Sequence, residues 1–287
     1  MSEANAFLRA SIEKSIQELP ALPPVVTRIL KETESVESCT RKIEQMLLSE
    51  QALASKVLRV VNSPYYGLSG RVSNVGQAIV VLGYQQIRNL VLSVCAFSMM
   101  KPKSPRQQLT MRQFWQHSFG TAAASRLIAE RKSISAADID LLFLAGLLHD
   151  IGRLFLFSNF TQTYDRVLQF AETRSISIEE AERKLLGLDH GAVGSAMTEL
   201  WNLPKVLVSL IAMHESPPAE PIDPLLYIIH VADWSTKHQY EESPAELSPL
   251  TEHVAQWLNF TEDDFAWLRE ETDKYLADAQ DCLGLAS

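Results

Sequence analysis

Residues 141–157 read LLFLAGLLHDIGRLFLF, an almost wholly apolar run that carries His149 and Asp150 side by side, with Gly152 two positions on. A His and an Asp inside such a segment are at least partly buried. Burying ionisable groups costs on the order of several kcal/mol unless something pairs them. A hydrogen-bond network or a metal ion can do so, and the rest of the chain bears on which.

Outward from this stretch the hydrophobic spacing is helical. Glycine is scarce, at 11 of 287 residues, and alternating strand patterns are hard to find, so the chain is expected to be all-α. Upstream, the spacing predicts helices over residues 3–18, 25–33, 41–48, 53–61, 75–82 and 85–100. LPALPP (19–24) forces a non-helical corner because proline disfavours helix in the residue before it. NSPYYG (62–67) breaks the pattern again. KPKSPRQQ (101–108) is polar, carries prolines and reads as a linker.

Downstream, helices are predicted over residues 110–131, from Ser135 to near His149, and over 161–172, 181–186, 190–201 and 204–214. Ser135 with Asp138, and Ser177 with Glu180, have capping-box-like spacing. Asp189 suits the cap of the helix that His190 opens. Asp223-Pro224 is an N-cap followed by a first-turn proline, and starts a helix through His230 and Asp233. Thr261 and Asp264 cap a last helix ending near Ala279. The expected organisation is two helical lobes, residues 1–106 and 107–287.

Composition limits the function. The chain is 46% hydrophobic, with a formal net charge of -9 and no run of Lys or Arg. That argues against a nucleic-acid binder working by phosphate neutralisation, and the negative charge is most simply a solubility feature. Cys39, Cys95 and Cys282 lie far apart with no C-x-x-C, so neither a disulfide framework nor a zinc ribbon is expected. The N-terminus is amphipathic and polar, unlike a signal peptide. The apolar run 90–100 is about half the length that crosses a bilayer, and Arg88 and Lys101 flank it. A soluble, cytoplasmic protein without membrane partners is expected.

An HD dipeptide alone carries little information, with roughly 0.3 chance occurrences in such a chain. Its context carries more. His117, His190, His214 and Asp233 each fall in a predicted helix or at its end, among apolar neighbours, whereas His238 and His253 lie in polar surroundings. Imidazole and carboxylate donors without cysteine suit Fe, Mn, Zn, Ni or Mg. Adjacent helical residues do not share a face, but His149 and Asp150 can converge if the helix ends there, which Gly152 permits. With His117 and Asp233 they make a four-ligand pocket, and His190 and His214 could serve a second ion. A pocket with open positions polarises a phosphoryl oxygen and activates water. His230, one turn before Asp233, lines the same cavity or hydrogen-bonds Asp233. In the competing reading no metal binds: Asp150 caps its helix or pairs with Arg153, and the histidines bond to backbone. Trp115, Phe119 and Trp201 are expected in the core. Tyr65 and Tyr66 are either a partner surface or packed between the lobes, the second being preferred.

FWQHS (114–118), LAGLLHDIGRL (144–154) and VAD (231–233) resemble the HD superfamily of metal-dependent phosphohydrolases. LPALPPVVTRIL (19–30), ALASKVLRVVNSPYYG (52–67), QAIVVLGYQQIRNLVLS (77–93) and LLGLDHGAVGSAMTELWNLPKVLVSLIAMHE (185–215) narrow the resemblance to the HDOD family, the HD-related output domain of bacterial signalling. The resemblance covers about Leu19 to Asp233. It implies an HD-like helical bundle with an additional N-terminal helical lobe, and a cytoplasmic, bacterial signal-transduction role exercised through a protein partner. His117, His149, Asp150 and Asp233 fill the superfamily's H…HD…D pattern. The chain departs from the family at Ser49-Glu50-Gln51, where Asp-Pro is common, and at Met213-His214, where a His pair is common. The second departure argues against a multinuclear cluster. Ser-Pro-Pro follows His214-Glu215 in place of Gly-Tyr-Pro, which disfavours cyclic-di-GMP hydrolysis.

Two functions follow. The first is a regulatory output module that retains the metal pocket. The alternative is an active phosphohydrolase on a nucleotide or other small phosphorylated ligand, with Asp150, His190 and His214 as its catalytic groups. Beyond Arg153 and Lys184, the sequence shows no obvious phosphate clamp in the second lobe.

Overall fold

In a computed structural model of the chain the described residues are 3–33, 40–62, 66, 68, 70–100, 104–240 and 250–276. Among them the regular structure is helical and there is no strand. The helices are α1 Glu3–Gln17, α2 Pro24–Thr33, α3 Thr40–Leu48, α4 Gln51–Val61, α5 Val75–Met99, α6 Pro105–Arg131, α7 Ala136–Leu148 and α8 Ile151–Asn159. They continue with α9 Thr161–Arg174, α10 Ile178–Leu186, α11 His190–Leu200, α12 Lys205–Met213, α13 Pro224–Tyr240, α14 Glu252–Leu258 and α15 Glu262–Leu276. They fall into two compact units, one containing α2–α5 and the other containing α1, α6–α14 and the first part of α15.

In the α2–α5 unit, short amphipathic helices bury Val26 and Ile29 of α2, Ile43 and Leu47 of α3, and Val57 and Val61 of α4. The apolar α5 lies against all three. Asn74 caps it, accepting from the Gln77 amide at 2.8 Å. Gly83, at φ 79° and ψ 158°, interrupts it, so the two predicted helices are one element with a glycine break, a conformation strained for any side chain. Asn62 holds the start of the following loop, its amide donating to the Val72 carbonyl at 2.8 Å and its oxygen accepting from Val72 N at 2.7 Å. Tyr66 is half-buried, while Tyr65, Cys39 and Cys282 lie outside the described residues. Cys95 is buried.

The other unit holds the HD stretch. Its first helix, α1, packs on α10 and α11, so residues 3–17 group with the second half of the chain, whereas the sequence reading placed them in a lobe of residues 1–106. α6 begins at Pro105, earlier than the predicted Thr110. Ser104 accepts from the Gln107 amide and Pro105 occupies the first turn, where its missing N–H costs nothing. The linker is correspondingly shorter than residues 101–108. The expected caps are present at Ser135, Ser177 and Asp189. Asp223 accepts from Leu225 N and Leu226 N, and Thr261 and Asp264 cap each other's backbone amides. Two stretches are long and apolar enough to cross a membrane, Val75–Met99 and Ala136–Asn159, but 56% and 89% of their most apolar windows are buried inside the protein. The second is also broken at His149 and Asp150.

Candidate metal centre

α7 ends at Leu148 and α8 begins at Ile151, so His149 and Asp150 occupy the break between them. That break lets neighbours in sequence point to one place. Asp150 stands at the N-cap position of α8, where an aspartate ordinarily accepts from the first turn. Here its side chain makes no capping hydrogen bond and turns into the interior.

Four more helices deliver the remaining groups: His117 from α6, His190 as the first residue of α11, His214 directly after α12, and Asp233 from α13. The close approach of these helices depends on glycine. A Cβ on Gly152 would lie 2.1 Å from the His190 carbonyl oxygen and 2.5 Å from Gly194 N. On Gly146 it would lie 2.5 Å from the Cα of Ala122, and on Gly191 2.6 Å from the Ala212 carbonyl oxygen.

All six predicted site residues come together. His117 Nε2 lies 3.1 Å from His149 Nε2 and 3.0 Å from Asp233 Oδ1. His149 Nε2 is 3.3 Å from Asp233 Oδ1. Asp150 faces both ways: Oδ2 is 3.8 Å from the Nε2 atoms of His117 and His149, and Oδ1 is 3.4 Å from His190 Nε2 and 3.7 Å from His214 Nε2. The donor atoms of three sets each converge within 4.8 Å: His117, His149 and Asp150; His149, His214 and Asp233; and Asp150, His190 and His214.

The ring orientations are fixed from behind. Nδ1 of His149 donates to the Gly146 carbonyl and Nδ1 of His214 to the Ile211 carbonyl, both at 2.8 Å. His190 Nδ1 lies 2.7 Å from Glu182 Oε2, which also accepts from His190 N, while Tyr164 donates to Glu182 Oε1 at 2.6 Å. His230 does not bond Asp233; its Nδ1 donates to the His214 carbonyl at 2.7 Å. With the imidazoles neutral, the inward Nε2 atoms of His149, His190 and His214 present lone pairs; Asp150 Oδ1 then has no donor, and Asp233 Oδ1 has only the His117 ring, 3.0 Å away. Convergent lone pairs and buried carboxylate oxygens short of donors fit a divalent cation.

The charges are strongly perturbed. Burial works against a proton on His149, yet Asp150 and Asp233 outweigh it and raise its pKa. Glu182 does the same for His190, to well above the ordinary imidazole value. Against burial, His149 holds Asp150, and Lys237 with His149 holds Asp233, well below the usual carboxylate range. Burial lowers the pKa of His230.

Four contributors were not singled out in the sequence as site residues: Tyr164, Glu182, Glu215 and Lys237. Lys237 Nζ bonds Asp233 Oδ2 at 2.7 Å and also binds Glu215 Oε1. Its signal was available, since Lys237 lies one helical turn after Asp233. Glu182 and Tyr164 come from α10 and α9, whose placement no local pattern announces. Arg153 reaches Asp150 Oδ2 at 3.4 Å, as in the metal-free reading. Lys184 instead pairs with Glu180 on an exposed surface. A cavity of about 350 Å3 adjoins the cluster, lined by Gln113, Phe114, His117, Asp150, Arg153 and Lys237 among others. His190 and His214 do not line it.

The HDOD domain family model matches residues 19–217. The chain belongs to the HDOD family. A curated relative from Treponema pallidum (strain Nichols) is 24% identical over 244 residues, covering 84% of this chain, which spans about half (47%) of that relative's length. An HDOD domain protein of Geobacter sulfurreducens superposes with a TM-score of 0.73 at 23% identity, covering 99% of this chain and 98% of its own. A Shewanella amazonensis SB2B protein whose name proposes a phosphohydrolase gives 0.74 at 23% identity, covering 97% and 98%. A Marinobacter aquaeolei VT8 protein whose name proposes signal transduction gives 0.73 at 22% identity, covering 97% and 66%. At these identities the likenesses establish the HDOD fold.

Proposed function

We propose that this HDOD chain is a cytoplasmic signal-transduction output module whose HD pocket holds a divalent ion, Fe, Mn, Ni, Zn or Mg, and whose output is read by a protein partner. The observation that carries the proposal is the convergence of the donor atoms of His117, His149, Asp150, His190, His214 and Asp233, with the carboxylate oxygens buried and short of donors. Neutral histidines held from behind would leave Asp150 Oδ1 without a donor, at a cost of about 1–3 kcal/mol, and Asp233 Oδ1 with only the His117 ring in reach. A bound ion supplies positive charge that can polarise a phosphoryl oxygen and ease deprotonation of water. The chain's own part is orientation: Gly146, Ile211 and Glu182 fix the His149, His214 and His190 rings from behind, and α7 and α8 meet at the break that turns Asp150 inward. Names proposing signal transduction and phosphohydrolase among proteins of this fold support the class.

Both cations bordering the cavity, Arg153 and Lys237, are held by carboxylates. They are therefore poorly placed to clamp a transferring phosphoryl group, which favours the module over the enzyme. The second reading, a phosphohydrolase acting on a small phosphorylated ligand, rests on the cavity opening onto His117 and Asp150. Elemental analysis of purified wild type and Asp150→Ala, with phosphoesterase assays on the same samples after Mn and Fe loading, separates the cases. Metal without turnover supports the module. Metal-dependent turnover lost in Asp150→Ala supports the hydrolase, and no metal under any loading condition removes both.

A further inference from the structure

Lys237 sits where a second ion would draw its ligands. The two donor groups of the pocket share Asp150, whose Oδ2 faces His117 and His149 and whose Oδ1 faces His190 and His214. Completing the His190 side needs another carboxylate, and Glu215 Oε1 is close at hand, 3.5 Å from His190 Nε2. That oxygen is bound instead to the Lys237 ammonium, which also holds Asp233 Oδ2. Resting on the reading that the pocket takes a divalent ion, we infer that Lys237 is a built-in cation that limits the pocket to one such ion.

Charge supports this. Asp150, Asp233, Glu215 and Glu182 are the carboxylates that touch the histidines or Lys237, and Arg153 and Lys237 are the fixed cations beside them. One divalent ion balances this set with the imidazoles neutral. A second ion adds two uncompensated positive charges in a buried site, which is strongly disfavoured. Without the lysine, Glu215 Oε1 joins Asp150 Oδ1, His190 and His214, and a second ion has a four-donor set.

The test counts ions on the full chain after loading with excess Mn2+ and removing free metal, by elemental analysis and by the Mn2+ electron paramagnetic resonance spectrum. Wild type and Lys237→Arg are expected to hold one ion per chain with an isolated-ion spectrum. Lys237→Gln, which keeps a donor toward Asp233, is expected to hold two, with a spectrum broadened by coupling. One ion in a Lys237→Gln protein that folds by circular dichroism overturns the inference and leaves the metal reading intact. Should that variant not fold, the wild-type count still decides, because two ions with Lys237 in place overturn it. No ion in wild type removes the metal reading and the inference together.

Discussion

The Nε2 atoms of His190 and His214 lie 3.3 Å apart, although the Nδ1–H of His214 is already given to the Ile211 carbonyl and that of His190 to Glu182. Two neutral rings held this way oppose lone pair to lone pair, which only a proton or a metal ion between them relieves. An ion that takes this pair as ligands, the second ion that Lys237→Gln is expected to admit, must therefore displace a proton, as ligand deprotonation requires. The raised His190 pKa, caused by Glu182 against the effect of burial, has the same sign: the proton is retained above the ordinary imidazole range, so affinity for that second ion should rise with pH through that region and then level off. Calorimetric Mn2+ titrations of the Lys237→Gln protein in two buffers of different ionisation enthalpy check this. Equal heats in both buffers, with pH-independent affinity, would contradict it.

Glu182 should set the strength of that site. It is fully buried and accepts from Tyr164 and from both nitrogens of His190 that can reach it. Removing the partner behind a metal-binding imidazole typically costs about 10–100-fold in affinity, and in the Lys237→Gln protein Glu182→Gln is expected to weaken binding of the second ion by that range, with Tyr164→Phe smaller. Chelator competition measures the loss. Unchanged affinity for the second ion when Glu182→Gln is added to a folded Lys237→Gln protein would mean that His190 does not bind it.

How much of this was legible in the chain depended on whether the signal was local. The caps at Ser135, Ser177 and Asp189, most helix bounds and a break between Leu82 and Gln85 are written in neighbouring residues, and the sequence showed them, although α6 starts at Pro105 and not at Thr110. The six His and Asp residues were visible because polar groups in apolar helices are rare enough to notice. Glu182, Tyr164 and Glu215 were not, since their roles arise from how α9, α10 and α12 are brought beside α11. The same holds for α1, whose apolar face at Ile12 and Ile16 says that it packs but not that its partners are α10 and α11. Gly152 was read as permitting the helix to end, whereas its main constraint is the backbone of α11.

That constraint is directly testable. A methyl on Gly152 meets the His190 carbonyl oxygen and Gly194 N, backbone atoms that cannot swing aside as a side-chain tip would. Gly152→Ala is expected to destabilise the protein by at least the roughly 1–3 kcal/mol usual for overpacking, and to weaken metal uptake by shifting α8 and with it Asp150. Gly70→Ala, with nothing within 4 Å of the added carbon, is the control and should melt like wild type. Equal melting temperatures for the two variants would show that α8 and α11 are not so tightly apposed.

Cys95 offers a prediction away from the pocket. Burial, only partly offset by Lys56, pushes its thiol from 9.0 up to about 11. Because the thiolate is the reactive form, Cys95 should resist iodoacetamide at pH 8 in the folded protein and react readily in urea, as mass spectrometry of its peptide would reveal. The raised pKa also fixes the sign of a stability effect. The folded state favours the protonated thiol, so this contribution is fully present below pH 9.0 and is lost as pH rises toward about 11. Urea unfolding of wild type and Cys95→Ala across that interval should show wild type losing stability faster. Parallel pH profiles, or rapid labelling of folded protein at pH 8, would mean that the thiol is not held in the apolar interior of α5.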